Sequence, residues 1–245
     1  IAAIADVIAQ SPVEIKKIGF AMPGPFDYEN GICLIKGVDK YEALYEMDIR
    51  GILAAALQLK PENIMFRNDA EAFLAGELYG GAAKGFEHAI GITLGTGLGS
   101  SFSHNGITSD AGLGMSSYKN EMVEDFVSTR GLLRSYQELT GVAKKDAKEI
   151  SELYATDSNA VKAFSVFAAH LSLFLQKFIA MENPEVLVIG GNIAQSWDLF
   201  MNDVTGQLQS SVSKMPQIVK AALAEDAALI GGACSFQMPS IAAEK

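Results

Sequence analysis

The chain has 245 residues, 49% hydrophobic and 20% charged, with a formal net charge of −10. That length can bury a sizeable core in one large or two modest domains. The acidic balance argues against nucleic-acid binding through this segment, because phosphate contacts need clustered Lys and Arg.

Cys33 and Cys234 stand far apart with no metal-type spacing. This predicts a reducing, cytoplasmic setting without a disulfide framework. IAAIADVIAQ (1–10) has the character of a helix interior, and the chain opens on Ile1, so the natural start is expected upstream. IKKIGFAM (15–22) reads as a strand that stops at the breaker PGP (23–25), and GICLIK (31–36) as a second strand. DIRGILAAALQL (48–59) has helical apolar spacing behind a capping Asp48. NIMFRN (63–68) is a short strand, and DAEAFLAGELYG (69–80) a helix closed by Gly80 and Gly81.

AIGITL (89–94) and SSFSH (100–104) are strands around the turn GTGLG (95–99), with Asn105-Gly106 as a hairpin turn. An irregular segment (107–120) precedes a helix around 121–139 and a long helix at about 160–181. The long helix is apolar, but Lys162, His170, Gln176 and Lys177 interrupt it, so it reads as buried core, not a membrane span. EVLVIGG (185–191), SWDLFMNDVTGQLQSSV (196–212), QIVKAAL (217–223) and DAALIGGACSFQM (226–238) alternate strand and helix. That order favours a parallel sheet with crossover helices. The N-terminal half has a similar ending but no opening hairpin, so the chain reads as two related halves, the first incomplete.

The glycine turn fits neither nucleotide fingerprint. A dinucleotide loop needs G-x-G-x-x-G ahead of a helix, and a P-loop needs G-K-[ST]. What remains is a strand–turn–strand whose N–H groups form an anion-binding concavity, or else a tight hairpin using glycine for its backbone freedom. Asn68 and Asp69 fall where a strand's C-terminal end meets a helix start, the edge at which open α/β sheets bind ligands. An Asp there either accepts a proton from an attacking hydroxyl or merely caps its helix. Gly190-Gly191 ends a buried strand, where glycines admit a flat ligand or a close strand–helix turn.

Taken together, IGFAMPGPFDYENG, RNDAEAFLAGE, IGITLGTGLGSS, VLVIGGNI and EDAALIGGACSF resemble, in order and across nearly the whole chain, the ROK family (repressors, open reading frames and kinases). The resemblance implies an α/β, actin-like (ribonuclease H-like) fold with two lobes, 1–87 and 88–245, the last helix packing back on the first lobe. It implies an ATP- and Mg²⁺-dependent kinase acting on a hexose or N-acetylhexosamine, with a sugar-sensing regulator or a catalytically impaired sugar binder as alternatives. Asp69 would be the general base, and Asn68, Pro23, Gly24, Asp110 and Glu124 would border the sugar. Gly95, Thr96, Gly97 and Gly99 would face the ATP phosphates, and Gly190 and Gly191 the adenosine. Homodimers are expected, with no membrane partner.

Three departures matter, one being that Asp110, a shorter side chain, stands where the family has a sugar-binding Glu. The family's opening D-x-G-G-T phosphate hairpin does not occur in the sequence. The stretch SDAGLGMSSYKNEMVEDFVS (109–128) has neither Cys nor His, so no structural zinc is expected. There Leu113 and Met122 take the places of family zinc-site residues.

Overall fold

A computed structural model describes residues 2–237. Ile1 and 238–245, including the end of the last predicted helix at Met238, lie outside the described residues. The chain opens with α1 (Ala2–Ala9), then β1 (Ile18–Met22) and the short antiparallel pair β2 (Phe26–Asp27) and β3 (Ile32–Cys33). Next come α2 (Asp39–Glu42), α3 (Ile49–Leu57), β4 (Ile64–Asn68) and α4 (Asp69–Gly80). The predicted second strand over 31–36 shrinks to β3: Leu34 N–H donates to the Pro25 carbonyl in the same register, but Pro25 has no N–H to return and the ladder stops there. Asp48 caps α3 as expected, accepting from Gly51 N–H.

A five-stranded sheet fills the second half, in the order β11-β10-β5-β6-β7. Its strands are β5 (Ala89–Leu94), β6 (Leu98–His104), β7 (Ile107–Asp110), β10 (Val186–Gly190) and β11 (Gln217–Lys220). β10 runs parallel to β5 and β11, while β5, β6 and β7 form an antiparallel meander. Every residue of β10 is buried, as a central parallel strand covered on both faces requires. Asn105 and Gly106, at φ 53 and 77, form the expected turn between β6 and β7. In the first half, β1 pairs parallel with β4, echoing β10–β11, but its other edge meets no strand among the described residues.

The segment 107–120 is not irregular. After β7 and a 3₁₀ turn, β8 (Ser117–Tyr118) and β9 (Glu121–Met122) form a hairpin. Lys119 and Asn120, at φ 50 and 67, make its turn. The predicted helix from 121 therefore starts late, as α5 (Thr129–Thr140), where Ser128 Oγ accepts from Arg130 N–H. α6 (Ala147–Leu153) leads to α7 (Ser158–Glu182). The helix expected over 196–212 splits into a 3₁₀ stretch (Asn192–Leu199) and α8 (Met201–Gln209), with non-helical backbone at Ser196 and Phe200. α9 (Asp226–Ala233) closes the described chain, followed by one 3₁₀ turn.

α7 is long and apolar enough to cross a membrane, yet half of its apolar window is buried within the protein. Ala160, Phe164, Phe167, Leu171, Leu175 and Phe178 recur at helical spacing and enter the largest core beside β5, β10 and α8. A separate core joins Phe26, Ile35, Leu53 and Phe66 in the first half.

α4 and α9 bridge the halves at backbone distance. A Cβ on Gly231 would stand 1.7 Å from the Ala72 carbonyl oxygen, and one on Gly76 would stand 2.0 Å from that of Ala227. α9 also lies against β1, where a Cβ on Gly19 would meet the Gly232 carbonyl at 1.8 Å. Gly231→Ala is expected to force the helices apart and cost about 2–3 kcal/mol, read by urea unfolding.

Candidate active site

The two parallel pairs end side by side. Met22 is in register with Asn68, and Gly190 with Thr93, so the loop after β1, the start of α4, the turn after β5 and the end of β10 collect at the sheets' carboxyl ends. There they enclose a cleft of about 740 Å³, within the range of small-molecule sites. Every sequence-predicted site residue except Gly190 lines it: Pro23, Gly24, Asn68, Asp69, Gly95, Thr96, Gly97, Gly99, Asp110, Glu124 and Gly191.

The capping question resolves in favour of Asn68. Its Oδ1 accepts from Ala70 N–H at 2.8 Å and Glu71 N–H at 3.2 Å, which makes it the N-cap of α4. Asp69 is thereby relieved of that duty. Its Oδ1 also accepts from Ala70 N–H, at 2.9 Å, while Oδ2 meets no donor among the described residues. The Asp69 residue is exposed at the cleft wall, at the positive end of α4.

The glycines around the turn serve different neighbours. Gly95 faces open space. A Cβ on Gly97 would stand 2.7 Å from Glu124 Oε2, and one on Gly99 would stand 2.3 Å from Thr93 Oγ1. A Cβ on Gly190 would collide with Phe73, so this glycine serves packing and stands behind the cleft. Gly191, at φ 89, abuts the backbone of Leu94 and needs glycine on both counts. The N–H groups of Thr96 and Gly97 donate to no acceptor among the described residues, and Thr96 is exposed. Two successive free amides and a hydroxyl form a cradle suited to an anion.

Glu124 reaches the same turn from the far side. Its Oε2 accepts from Leu98 N–H at 3.4 Å, and its Oε1 pairs with Arg130 at 2.8 Å. Asp110 accepts from Gly112 N–H at 2.9 Å. Burial raises the Asp110 carboxyl above its ordinary value; the Gly112 N–H offsets this and the Asp69 charge adds to it. Arg67 and Glu71 sit 3.4 Å apart behind Asn68, and Arg67 reaches Thr108 of β7 at 3.0 Å, tying α4 to the second sheet.

Sequence reasoning missed Tyr28 and Arg130, and offered Ser100 only as a hydroxyl beside the glycine turn. Tyr28 donates to the Met22 carbonyl and lines the cleft, Ser100 Oγ accepts from Leu113 N–H, and Arg130 holds Glu124. No spacing rule links residue 28 to 68 or 100 to 113, and the separation of 124 and 130 matches no helical pairing.

The loop that carries Glu124 is anchored by aromatic rings. Tyr118 hydroxyl and His170 Nδ1 are 2.8 Å apart, Phe126 packs on both rings, and Arg134 lies 4.4 Å over Phe126. Leu113, Val123, His170, Phe174 and Phe178 border an apolar cavity of about 240 Å³ beneath. His170 is thus half-buried at a cavity wall rather than a plain core residue.

Burial, then the charges of Lys119 and Arg134, holds His170 below its ordinary 6.5. The unfolded chain therefore takes up this proton first. The contribution of His170 is intact above about pH 6.5 and falls away below it, until the folded group also protonates. Between about pH 7.5 and about pH 5.5 the Tm of wild type should drop further than that of His170→Gln.

The ROK family model matches residues 1–118 and 118–238, and the chain belongs to that family. Its α/β fold is the actin-like fold of ROK sugar kinases. The chain is 25% identical to a glucokinase of Thermotoga maritima over 255 aligned residues, covering 90% of this chain and 78% of that one. It is 22% identical to an N-acetyl-D-glucosamine kinase of Mannheimia succiniciproducens, covering 89% and 80%. A ROK family glucokinase from Streptomyces griseus, solved in complex with glucose and AMPPNP, superposes with a TM-score of 0.77 at 21% identity, covering 95% of this chain and 85% of that one.

Proposed function

We propose that the chain is a sugar kinase that transfers the γ-phosphoryl group of ATP to a hydroxyl of a hexose or N-acetylhexosamine. One observation carries this reading: Asn68 takes over the helix cap and leaves a carboxylate oxygen of Asp69 unpaired in the cleft, opposite a turn with free amides. Glucokinase and N-acetylglucosamine kinase relatives support the same class.

Asp69 is the general base, taking the proton of the attacking hydroxyl. Asn68, the Pro23-Gly24 loop, Asp110 and Glu124 hold the sugar. The amides of Thr96 and Gly97, with the open face of Gly95, receive phosphate oxygens, and Gly191 lies toward the adenosine. Gly190 acts from behind, by keeping the strand close to Phe73. When bound, Mg²⁺ neutralises phosphate charge during transfer. Thr96 and the cleft carboxylates are the groups available to its water shell.

Calorimetric titration with glucose, N-acetylglucosamine and N-acetylmannosamine, each with and without Mg-AMPPNP, tests the assignment. One sugar binding together with the nucleotide is the expected outcome. Failure to bind any of these sugars would contradict it.

A further inference from the structure

We propose that Tyr28 is a positioning residue for the acceptor sugar, acting through the Asn68 side-chain amide; the inference rests on the function proposed above. Asn68 Oδ1 is committed to the two N–H groups at the start of α4. Asn68 Nδ2 donates one hydrogen to the Tyr28 hydroxyl at 3.2 Å, and Tyr28 donates its own proton to the Met22 carbonyl at 3.1 Å. This chain runs in one direction only, so the amide plane of Asn68 is fixed from both ends. A flipped amide would turn NH₂ against the helix N–H groups and leave the Tyr28 oxygen without a donor. The second Nδ2 hydrogen is left for the cleft, which Asn68 and Tyr28 both line.

Asn68 is only 7% exposed, so a wandering amide would lose hydrogen bonds that water cannot replace. Phe26 holds the Tyr28 ring at a centroid distance of 5.3 Å. Gly24 lies directly over the pair: a Cβ there would stand 3.4 Å from the Tyr28 hydroxyl and 3.9 Å from Asn68 Nδ2. Burial pushes the Tyr28 hydroxyl up to about 12, so it stays protonated across neutral pH.

The test is a double-mutant cycle on the full chain with Tyr28→Phe and Asn68→Ser. Phenylalanine keeps the ring packing, and serine keeps a helix cap while removing Nδ2. The ligand is whichever of glucose, N-acetylglucosamine and N-acetylmannosamine the wild type binds most tightly by calorimetry. Tyr28→Phe should weaken that sugar about tenfold, leave Mg-AMPPNP binding unchanged and lower Tm by roughly 2–6 °C, because the Met22 carbonyl and one Asn68 Nδ2 hydrogen each lose a partner. The double variant should bind no more weakly than Asn68→Ser alone. Unchanged sugar affinity in Tyr28→Phe, or losses that multiply in the double variant, would overturn the inference while the kinase reading stands. A wild type that binds none of the three sugars would overturn both.

Discussion

Asp69→Asn is expected to lower sugar-dependent ADP release by about a thousandfold while leaving sugar affinity within about a factor of three, because a general base acts in the transition state and little in ground-state binding. The substitution is isosteric. The carboxamide it introduces can still accept from Ala70 N–H through its carbonyl oxygen, and Asn68 remains the cap of α4, so the fold has no reason to change. What disappears is the proton acceptor that Oδ2 supplies to the cleft. A thousandfold loss corresponds to about 4 kcal/mol of transition-state stabilisation. Had Asp69 been only a helix cap, the same substitution would have left both activity and Tm nearly unchanged, because Asn caps as well as Asp, so measuring the two quantities together separates the roles.

Glu77→Leu is the change expected to damage the fold most. Glu77 on α4 is fully buried, and its carboxylate accepts from three backbone N–H groups: Ala82 at 2.6 Å, Ala222 at 3.1 Å and Leu223 at 2.9 Å. These bonds tie α4 to the turn after it and to the segment between β11 and α9, some 145 residues away in sequence. Leucine fills the space but deprives three part-buried donors of their acceptor, each costing about 1–3 kcal/mol if unsatisfied and less where water reaches it. Allowing for partial relaxation, the loss is about 3–5 kcal/mol. At about 2–4 °C per kcal/mol for a chain of this size, Tm should fall by roughly 6–20 °C. Glu77→Gln should do less harm, because its carbonyl oxygen still serves one or two of the donors. Because α4 begins at Asn68 and Asp69, the Leu variant should also lose sugar binding as it unfolds.

The parts of this architecture that follow local rules were legible in the sequence. α3 behind Asp48 and the long α7 show a helical apolar period, α4 over 69–80 is bounded by Asn68-Asp69 and the Gly80-Gly81 pair, and Asn105-Gly106 is a plain hairpin-turn signal. The β8–β9 hairpin was not, because its turn uses Lys119 and Asn120, and a lysine at positive φ carries no turn signal. The start of α5 was misplaced because apolar residues in 121–127 serve the hairpin and the aromatic anchor, not a helix.

The cleft was partly readable. The motif order grouped loops that border one cleft, but motif matching turned every one of these glycines toward a ligand. In three dimensions Gly97 makes room for Glu124 and Gly190 for Phe73, contacts between segments that no spacing encodes, while Gly99 makes room for its cross-strand partner Thr93. Likewise the choice between Asn68 and Asp69 as cap depended on which side chain turns back over the helix N–H groups. Two neighbouring residues that both favour caps leave that open.

The most direct test of the central claim is detection of the product itself. Wild type and Asp69→Asn would each be incubated with γ-³²P-labelled ATP, Mg²⁺ and the sugar that binds best in calorimetry. The expected result is a labelled sugar phosphate from wild type, and almost none from an Asp69→Asn protein that still binds the sugar. Equal label transfer by both proteins, or none from a wild type that binds both sugar and nucleotide, would contradict the assignment of Asp69 as the base of a sugar kinase.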